Sequence, residues 1–374
     1  MHLYFDVSIL QQKHFTGCQV YAYEMLKEMI ALSPETTFHL HFGMQDWNDQ
    51  IDNLLMPENV VQHRVSGPLG RSIGLPLNIL KTRSQALYIM NGLSGGLRVP
   101  VPCPSVALIH DLRNVLYPEI YGFEEQKRYK ARASKWMHQR DLIFTGTETV
   151  KNEIISHFQV LPEKIVVASE ATDHHDIDAP DSRPESIPEH VPYFLMFNMG
   201  SELKNWRLVI EAFKIYVEAH PEDLVSLLVL AGSVRGEGEH IRQALSASPA
   251  VEARTIITGY ITDEELRYLY RNGRLLLFPS RYEGFGIPTL EAMGQRLPVL
   301  LSDIPVFREV ARDAALYVSL DNAPELAEGI HRLNSDEQLR STLIQRGMER
   351  VGDYSWRKSA EKTLEVLLKL ASKR

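Results

Sequence analysis

Residues 278–299 read FPSRYEGFGIPTLEAMGQRLPV, and this stretch decides the fold. Leu275, Leu276, Leu277 and Phe278 form the short apolar run of a strand buried on both faces. Pro279 and Ser280 end it. Gly284 and Gly286, with Phe285 between them, let the main chain pass close to a ligand. Pro288 after Ile287 suits the first position of a helix, which Thr289 to Met293 continue. A helix start offers unpaired N–H groups and partial positive charge, so the turn predicts a cradle for an anion such as a diphosphate. Glu291, expected in the first turn of that helix, is placed to accept two vicinal hydroxyls, as a ribose presents them. Glu283 precedes the turn and is placed for sugar hydroxyls beyond the phosphates. A capped helix start needs no ligand, and a lone G-x-G turn favours that blander reading. Two carboxylates bracketing the glycines after a strand are more specific.

The segment EGFGIPTLEAM resembles the E-x7-E signature of the retaining glycosyltransferases of family 4, with Glu283 and Glu291 matching its two acids. The resemblance implies the GT-B fold, an α/β architecture of two doubly wound Rossmann-like domains facing each other across a cleft. It also implies that the first domain holds the acceptor and the second the nucleotide-sugar. The expected layout is residues 1–178 as the acceptor domain, 179–192 as a linker and 193–354 as the donor domain. Residues 355–374 are then a final helix that returns to the first domain.

Composition fits this. The 374 residues allow two cores, and 44% hydrophobic with 24% charged is ordinary for a globular chain. A net charge of −8 argues against a general nucleic-acid binder. Cys18 and Cys103 make no disulfide framework or zinc pattern, which points to a reducing compartment. No apolar run reaches the roughly 20 residues of a membrane span. The opening MHLYFDVSIL reads as a strand, not a signal peptide.

In the first half strands and helices alternate, which predicts a parallel sheet with ligands at the carboxyl ends of its strands. Strands are expected at Leu3–Ile9, Thr37–Gly43, Leu87–Asn91, Ser105–Ile109 and Leu142–Thr145. Tyr21, Met25, Met29 and Leu32 mark the apolar face of a helix after the first. The loop TGCQVY stands where the family often has TGIGRY, and Gly17 matches; a plain turn glycine is the alternative. VALIHDLRNVLYPE resembles the family's HDL…PE segment, so His110 is the histidine expected near the reacting sugar, unless it is a capping or core residue. Ser169, Glu170 and Ala171 replace the family's polar–glycine step.

Residues 124–141, EEQKRYKARASKWMHQRD, combine Lys127, Arg128, Lys130, Arg132, Lys135 and Arg140 with Tyr129, Trp136 and Met137. They read either as a solvated helix face or as a basic amphipathic helix on an anionic membrane. Four prolines between His174 and Pro192 suggest a linker, and its HHDID run is read as solvating rather than metal-binding.

The second half opens with a strand at Tyr193–Asn198 and MGSELKNWRLVIEAF, similar to the family's glycine and R-K-N loop. Gly200, Lys204 and Asn205 match there, and Leu203 stands for the arginine. Lys204 is expected to meet the diphosphate as a point charge. A surface lysine at a helix start is the alternative. Tyr260 and Ile261, after a strand at Thr255–Thr258, are expected base contacts by resemblance.

The expected activity is transfer of a hexose from a UDP- or GDP-sugar to a saccharide or lipid-linked saccharide acceptor, with retention. The expected setting is bacterial cell-surface polysaccharide synthesis, in the cytoplasm or on the inner face of its membrane. The expected catalytic residues are His110, Glu283 and Lys204. No metal and no further cofactor are expected, because Lys204, the Gly284–Gly286 N–H groups and the helix dipole can stabilise the leaving diphosphate. Another sugar-nucleotide enzyme of the same fold, an epimerase or phosphorylase, and a non-catalytic sugar-nucleotide binder are the alternatives.

Overall fold

Short runs of Leu, Val, Ile and Phe, too apolar to face water on either side, fold as the inner strands of two parallel sheets, whose edge strands Val60–Arg64 and Thr255–Gly259 are partly exposed. The computed structural model describes residues 1–11, 15–43, 50–65, 73–90, 101–173, 178–197, 199–232, 234 and 236–372. The first sheet contains β1 (His2–Asp6), β2 (Thr37–Phe42), β3 (Val60–Arg64), β4 (Ala86–Ile89), β5 (Ser105–Leu108), β6 (Leu142–Thr145) and β7 (Ile165–Val167). The second contains β8 (Tyr193–Phe197), β9 (Leu227–Ala231), β10 (Thr255–Gly259), β11 (Leu275–Phe278), β12 (Val299–Ser302) and β13 (Leu316–Val318). Their orders are β3-β2-β1-β4-β5-β6-β7 and β10-β9-β8-β11-β12-β13. Every pairing is parallel, so each connection must cross over, and most do so through a helix. The same holds in the second sheet.

The chain divides into two compact units, residues 1–170 with 355–374, and residues 171–354. Along β8, alternate side chains enter different cores: Leu195 and Phe197 join Leu276, Leu290 and Phe307, whereas Phe194 and Met196 join Leu277, Phe213 and Ile330. The final helix, Trp356–Ala371, belongs to the first unit. Trp356 meets the Tyr21 ring edge-on at 5.7 Å, and Ser359 donates to the Ser169 carbonyl at 2.6 Å. Tyr21, Met25 and Met29 are fully buried on the inner face of the helix Gly17–Leu32.

Several expectations shift in detail. Residues 179–192 fold onto the second unit. Arg271 donates to the Ala179 carbonyl at 2.7 Å and pairs with Asp181 at 2.9 Å, and Ile187 is fully buried in the core. The residues 174–177 of the HHDID run lie outside the described residues, as do Asn91 and Asn198, the ends of two expected strands. In the basic helix, now Phe123–His138, Ala133, Trp136 and Met137 form a buried stripe in the first unit's core, so its aromatic residue Trp136 does not face outward. Arg140 is buried too, donating to Ser105 Oγ at 3.2 Å under the Trp136 ring. Lys127, Arg128, Arg132 and Lys135 remain exposed. Among the described residues no helix is long and apolar enough to cross a membrane.

A chain of imidazoles links three strands of the first sheet. His39 on β2 meets His2 at 2.9 Å through one ring nitrogen and His63 on β3 at 3.0 Å through the other, with the Tyr4 ring stacked against His39 and His63. Burial, reinforced by the charges that His63 and His2 would carry, lowers the His39 pKa to about 4. His39 is therefore neutral in the fold, while the unfolded chain takes up its proton near the ordinary value of about 6.5. Its contribution to stability is complete above about pH 6.5 and is lost as pH falls toward 4. His39→Gln should lose less of its melting temperature between pH 7 and pH 5 than the native chain, by roughly 2–4 °C, in a calorimetric series.

Candidate functional site

Both sheets reverse their direction of winding once, at β1/β4 and at β8/β11. Ligands of doubly wound sheets bind beyond the carboxyl ends of the strands at such a reversal. In the second unit the loops leaving β8 and β11 carry Lys204 and Glu283.

These two loops are tied together. After β8, Ser201 Oγ accepts the Leu203 N–H and starts a single turn, Glu202–Lys204. Leu203 is buried, so the position the family often gives to arginine serves packing here. Asn205 adopts the left-handed conformation at φ 60°, and its Nδ2 donates to the Pro279 carbonyl and to Asp321, each at 3.2 Å. The Arg281 N–H returns a bond to the Leu203 carbonyl at 2.8 Å. Between these clamps Lys204 Nζ reaches Glu283 Oε1 at 2.6 Å and lies 5.0 Å from the centre of the Phe278 ring. The two side chains are only 17% and 11% exposed. Lys204 and Glu283, expected to serve different parts of a donor, thus hold each other in this structure.

The turn after β11 ends in Gly286, left-handed at φ 86°, which caps the helix Ile287–Gly294. Pro288 is the second residue of that helix and Glu291 the fifth, so Glu291 lies in the second turn and not in the first as expected. The left-handed glycine starts the helix one residue before the proline. Glu291 Oε2 accepts the Tyr270 hydroxyl at 2.8 Å. Burial, and then the charge of Glu291, hold the Tyr270 phenol well above its ordinary pKa, so it stays protonated and donates. The sequence reading missed this contact; the only signal was the place of Tyr270 on the inner face of the helix Asp263–Asn272. Phe285 and Ile287 are 3% and 6% exposed, and Phe285 packs edge-on against Tyr354 at 5.5 Å. Their side chains belong to the core and only their main chain is left for a ligand.

Gly200 is exposed just ahead of Ser201. Tyr260, 70% exposed, and Ile261 follow β10, with β9 between that strand and β8. With Thr258, Glu265 and residues 184–186 they line an open cleft of about 390 Å³, so the stretch expected as a linker forms one of its walls.

The remaining expected residues stand in the first unit. Gly17 is the exposed first residue of its helix, and the departure from the family loop has a local role: Gln19 Oε1 accepts the Thr16 N–H at 2.9 Å, one half of a capping box. His110 follows β5. Its Nδ1 lies 3.2 Å from Glu170, and the Tyr21 ring meets it edge-on at 5.2 Å. Its Nε2 is buried, and the Cys18 sulfur neighbours the ring. Burial opposes protonation of His110, but the neighbouring Cys18 sulfur and Glu170 carboxylate outweigh it and hold the pKa well above the ordinary value. Glu170, a departure in the sequence, is therefore the residue that orients His110.

Residues 178–350 match the family described as Glycosyl transferases group 1. Over 270 residues the chain is 26% identical to O-antigen chain mannosyltransferase B of Escherichia coli, covering 70% of this chain and 69% of that protein. Over 247 residues it is 27% identical to O-antigen chain mannosyltransferase RfbU of Salmonella typhimurium, covering 63% and 65%. The matched stretches span about two thirds of both relatives. Among solved structures, Anabaena Alr3699/HepE in complex with UDP and glucose superposes with a TM-score of 0.73 at 17% identity, covering 99% of this chain and 100% of that one. That likeness establishes the fold, which is GT-B. The chain is a glycosyltransferase, and the residues that match the group 1 glycosyl transferases lie in its second unit.

At Gly286 an added Cβ would lie 2.8 Å from the Phe307 ring, on a backbone that L side chains rarely adopt. Gly286→Ala should cost about 1–3 kcal/mol of stability in urea unfolding. In a double-mutant cycle, the Gly286→Ala cost should be smaller in a Phe307→Leu background but not vanish, since the smaller side chain removes the collision and not the backbone strain.

Proposed function

We propose that the protein transfers a hexose, mannose, glucose or a similar sugar, from a UDP- or GDP-sugar to a saccharide or lipid-linked saccharide acceptor, with retention of configuration, during synthesis of a cell-surface polysaccharide. The observation that carries this reading is the Lys204–Glu283 pair at the β8/β11 reversal, beside the glycine turn that opens the helix Ile287–Gly294. The names of the O-antigen mannosyltransferases and the UDP and glucose of the Anabaena complex support the choice of substrates.

The assigned roles follow from charge. Departure of a nucleoside diphosphate builds negative charge on its oxygens, and preorganised donors stabilise it. Lys204 Nζ and the N–H groups of Gly284 to Gly286 supply that stabilisation, so no metal is assigned. Glu283 accepts hydroxyls of the transferred sugar. Glu291, its second-turn carboxylate fixed by Tyr270, accepts the ribose hydroxyls. Tyr260 and Ile261 receive the base. His110, protonated and oriented by Glu170, is assigned to hydroxyls of the reacting sugar, and Gly17 and Gly200 to close main-chain approach. The assigned chemistry is front-side attack, with a donor phosphate oxygen taking the acceptor proton. The exposed row Lys127, Arg128, Arg132 and Lys135 is assigned to peripheral contact with an anionic inner membrane surface.

Charge-assisted hydrogen bonds from the ribose are each worth roughly 1.5–3 kcal/mol. Glu291→Ala should therefore weaken free UDP or GDP by about tenfold or more in calorimetry. Glu283→Ala should bind the free diphosphate nearly as before while transfer collapses. Equal losses in the two variants, or affinity and turnover that vanish in EDTA, would refute these assignments.

A further inference from the structure

The second unit's sheet has an opposite end. Where β8 and β11 begin, roughly 15 Å from the loops that follow them, an open cleft of about 800 Å³ is lined by Arg183, Arg271, Arg274 and Arg340, with His190 and Glu189. None of this belongs to the donor site proposed above.

The guanidinium partners are unequal. Arg183 donates to the Ile187 carbonyl and pairs with Glu189 at 3.1 Å. Arg271 pairs with Asp181 at 2.9 Å. Arg274 and Arg340 share one carboxylate, Glu337, at 3.7 and 2.7 Å. That carboxylate is 70% exposed, so water screens it as a counter-charge. Arg340 itself is only 13% exposed, and its Nε is buried with no hydrogen-bond partner among the described residues. Burial, and then the charge of Arg274, push the Arg340 guanidinium below its ordinary pKa. Arg274 bonds Asn334 through Nε and one Nη. A guanidinium has five N–H donors, so this pair keeps donors that its protein partners do not occupy. The carboxylates Glu189, Asp181 and Glu337 and the carboxyl end of the helix Asp263–Asn272 oppose an anion here. Four guanidiniums still outnumber three carboxylates, and Arg274 and Arg340 have only the exposed Glu337 between them.

We propose that this cleft is a second anion site, taking the phosphate or pyrophosphate group of a soluble phosphorylated small molecule between Arg274 and Arg340. Two planar guanidiniums match the oxygens of a phosphate group bidentately, which one exposed carboxylate between them does not do for both. The cleft has the volume of a small-molecule site.

The test is calorimetric titration of the full chain with pyrophosphate after UDP or GDP has saturated the donor site, and a parallel titration of Lys204→Ala without nucleotide. One equivalent of pyrophosphate should bind in both, more weakly as salt rises. Arg274→Gln with Arg340→Gln should lower that affinity at least tenfold and leave nucleotide affinity unchanged, and Arg340→Lys should retain part of it. Arg274→Gln alone, at the more exposed partner, should lower it too, which keeps the test valid if the double variant folds poorly. Absence of binding in both titrations, or unchanged affinity in a folded double variant, would overturn the proposal. So would Arg340-dependent flotation with phosphatidic acid vesicles but no response to soluble pyrophosphate, since the cleft would then read a lipid headgroup.

Discussion

A lysine and a glutamate that are both mostly out of water cannot be left alone. Lys204 and Glu283 meet at 2.6 Å, and removing either strands a charge that the fold has desolvated. Their pairing requires the loop after β8 and the loop after β11 to stay in register, and Asn205 and Arg281 fasten them on either side. In the function proposed above, a diphosphate arriving here would compete for Lys204 and free Glu283 to face a sugar. The same pair thus ties the two loops together and fits the division of roles proposed for the donor.

The topology makes that meeting unavoidable. Strands wound outward from β8 through β9 to β10, and then from β11 through β12 to β13, leave β8 and β11 as neighbours, which brings the loops that follow them side by side. Side chains that alternate into two cores keep both faces covered, so polar groups gather at the strand ends. The carboxyl ends carry Lys204 and Glu283; the amino ends carry the arginine cleft.

Much of this was legible in the residues. Apolar runs flanked by Gly and Pro marked the strands, and EGFGIPTLEAM marked the turn. What remained hidden depended on contacts distant in sequence or on backbone angles. The acids and prolines of residues 179–192 look like linker composition, yet Arg267 and Arg271 on a helix some 90 residues later bind them. Gly286 in the left-handed region starts its helix ahead of Pro288, which moves Glu291 into the second turn. Tyr270 and Glu170 act through Glu291 and His110, and neither pairing leaves a local signature. Trp136 and Met137 are a different case: with Ala133 they follow a helical period that marks a buried face, a signal the reading of residues 124–141 as a solvated face or a membrane helix did not use.

The central claim is that Lys204 exchanges Glu283 for a diphosphate, and a double-mutant cycle on nucleoside diphosphate affinity tests it most directly. Lys204→Met should lose at least about tenfold in affinity. Glu283→Gln, which leaves Lys204 without its competitor, should bind as tightly as the native chain or more so. The double variant should match Lys204→Met. If Lys204→Met binds like the native chain, or if Glu283→Gln weakens binding as much as Lys204→Met does, the pair is only a clamp between two loops and the donor site lies elsewhere.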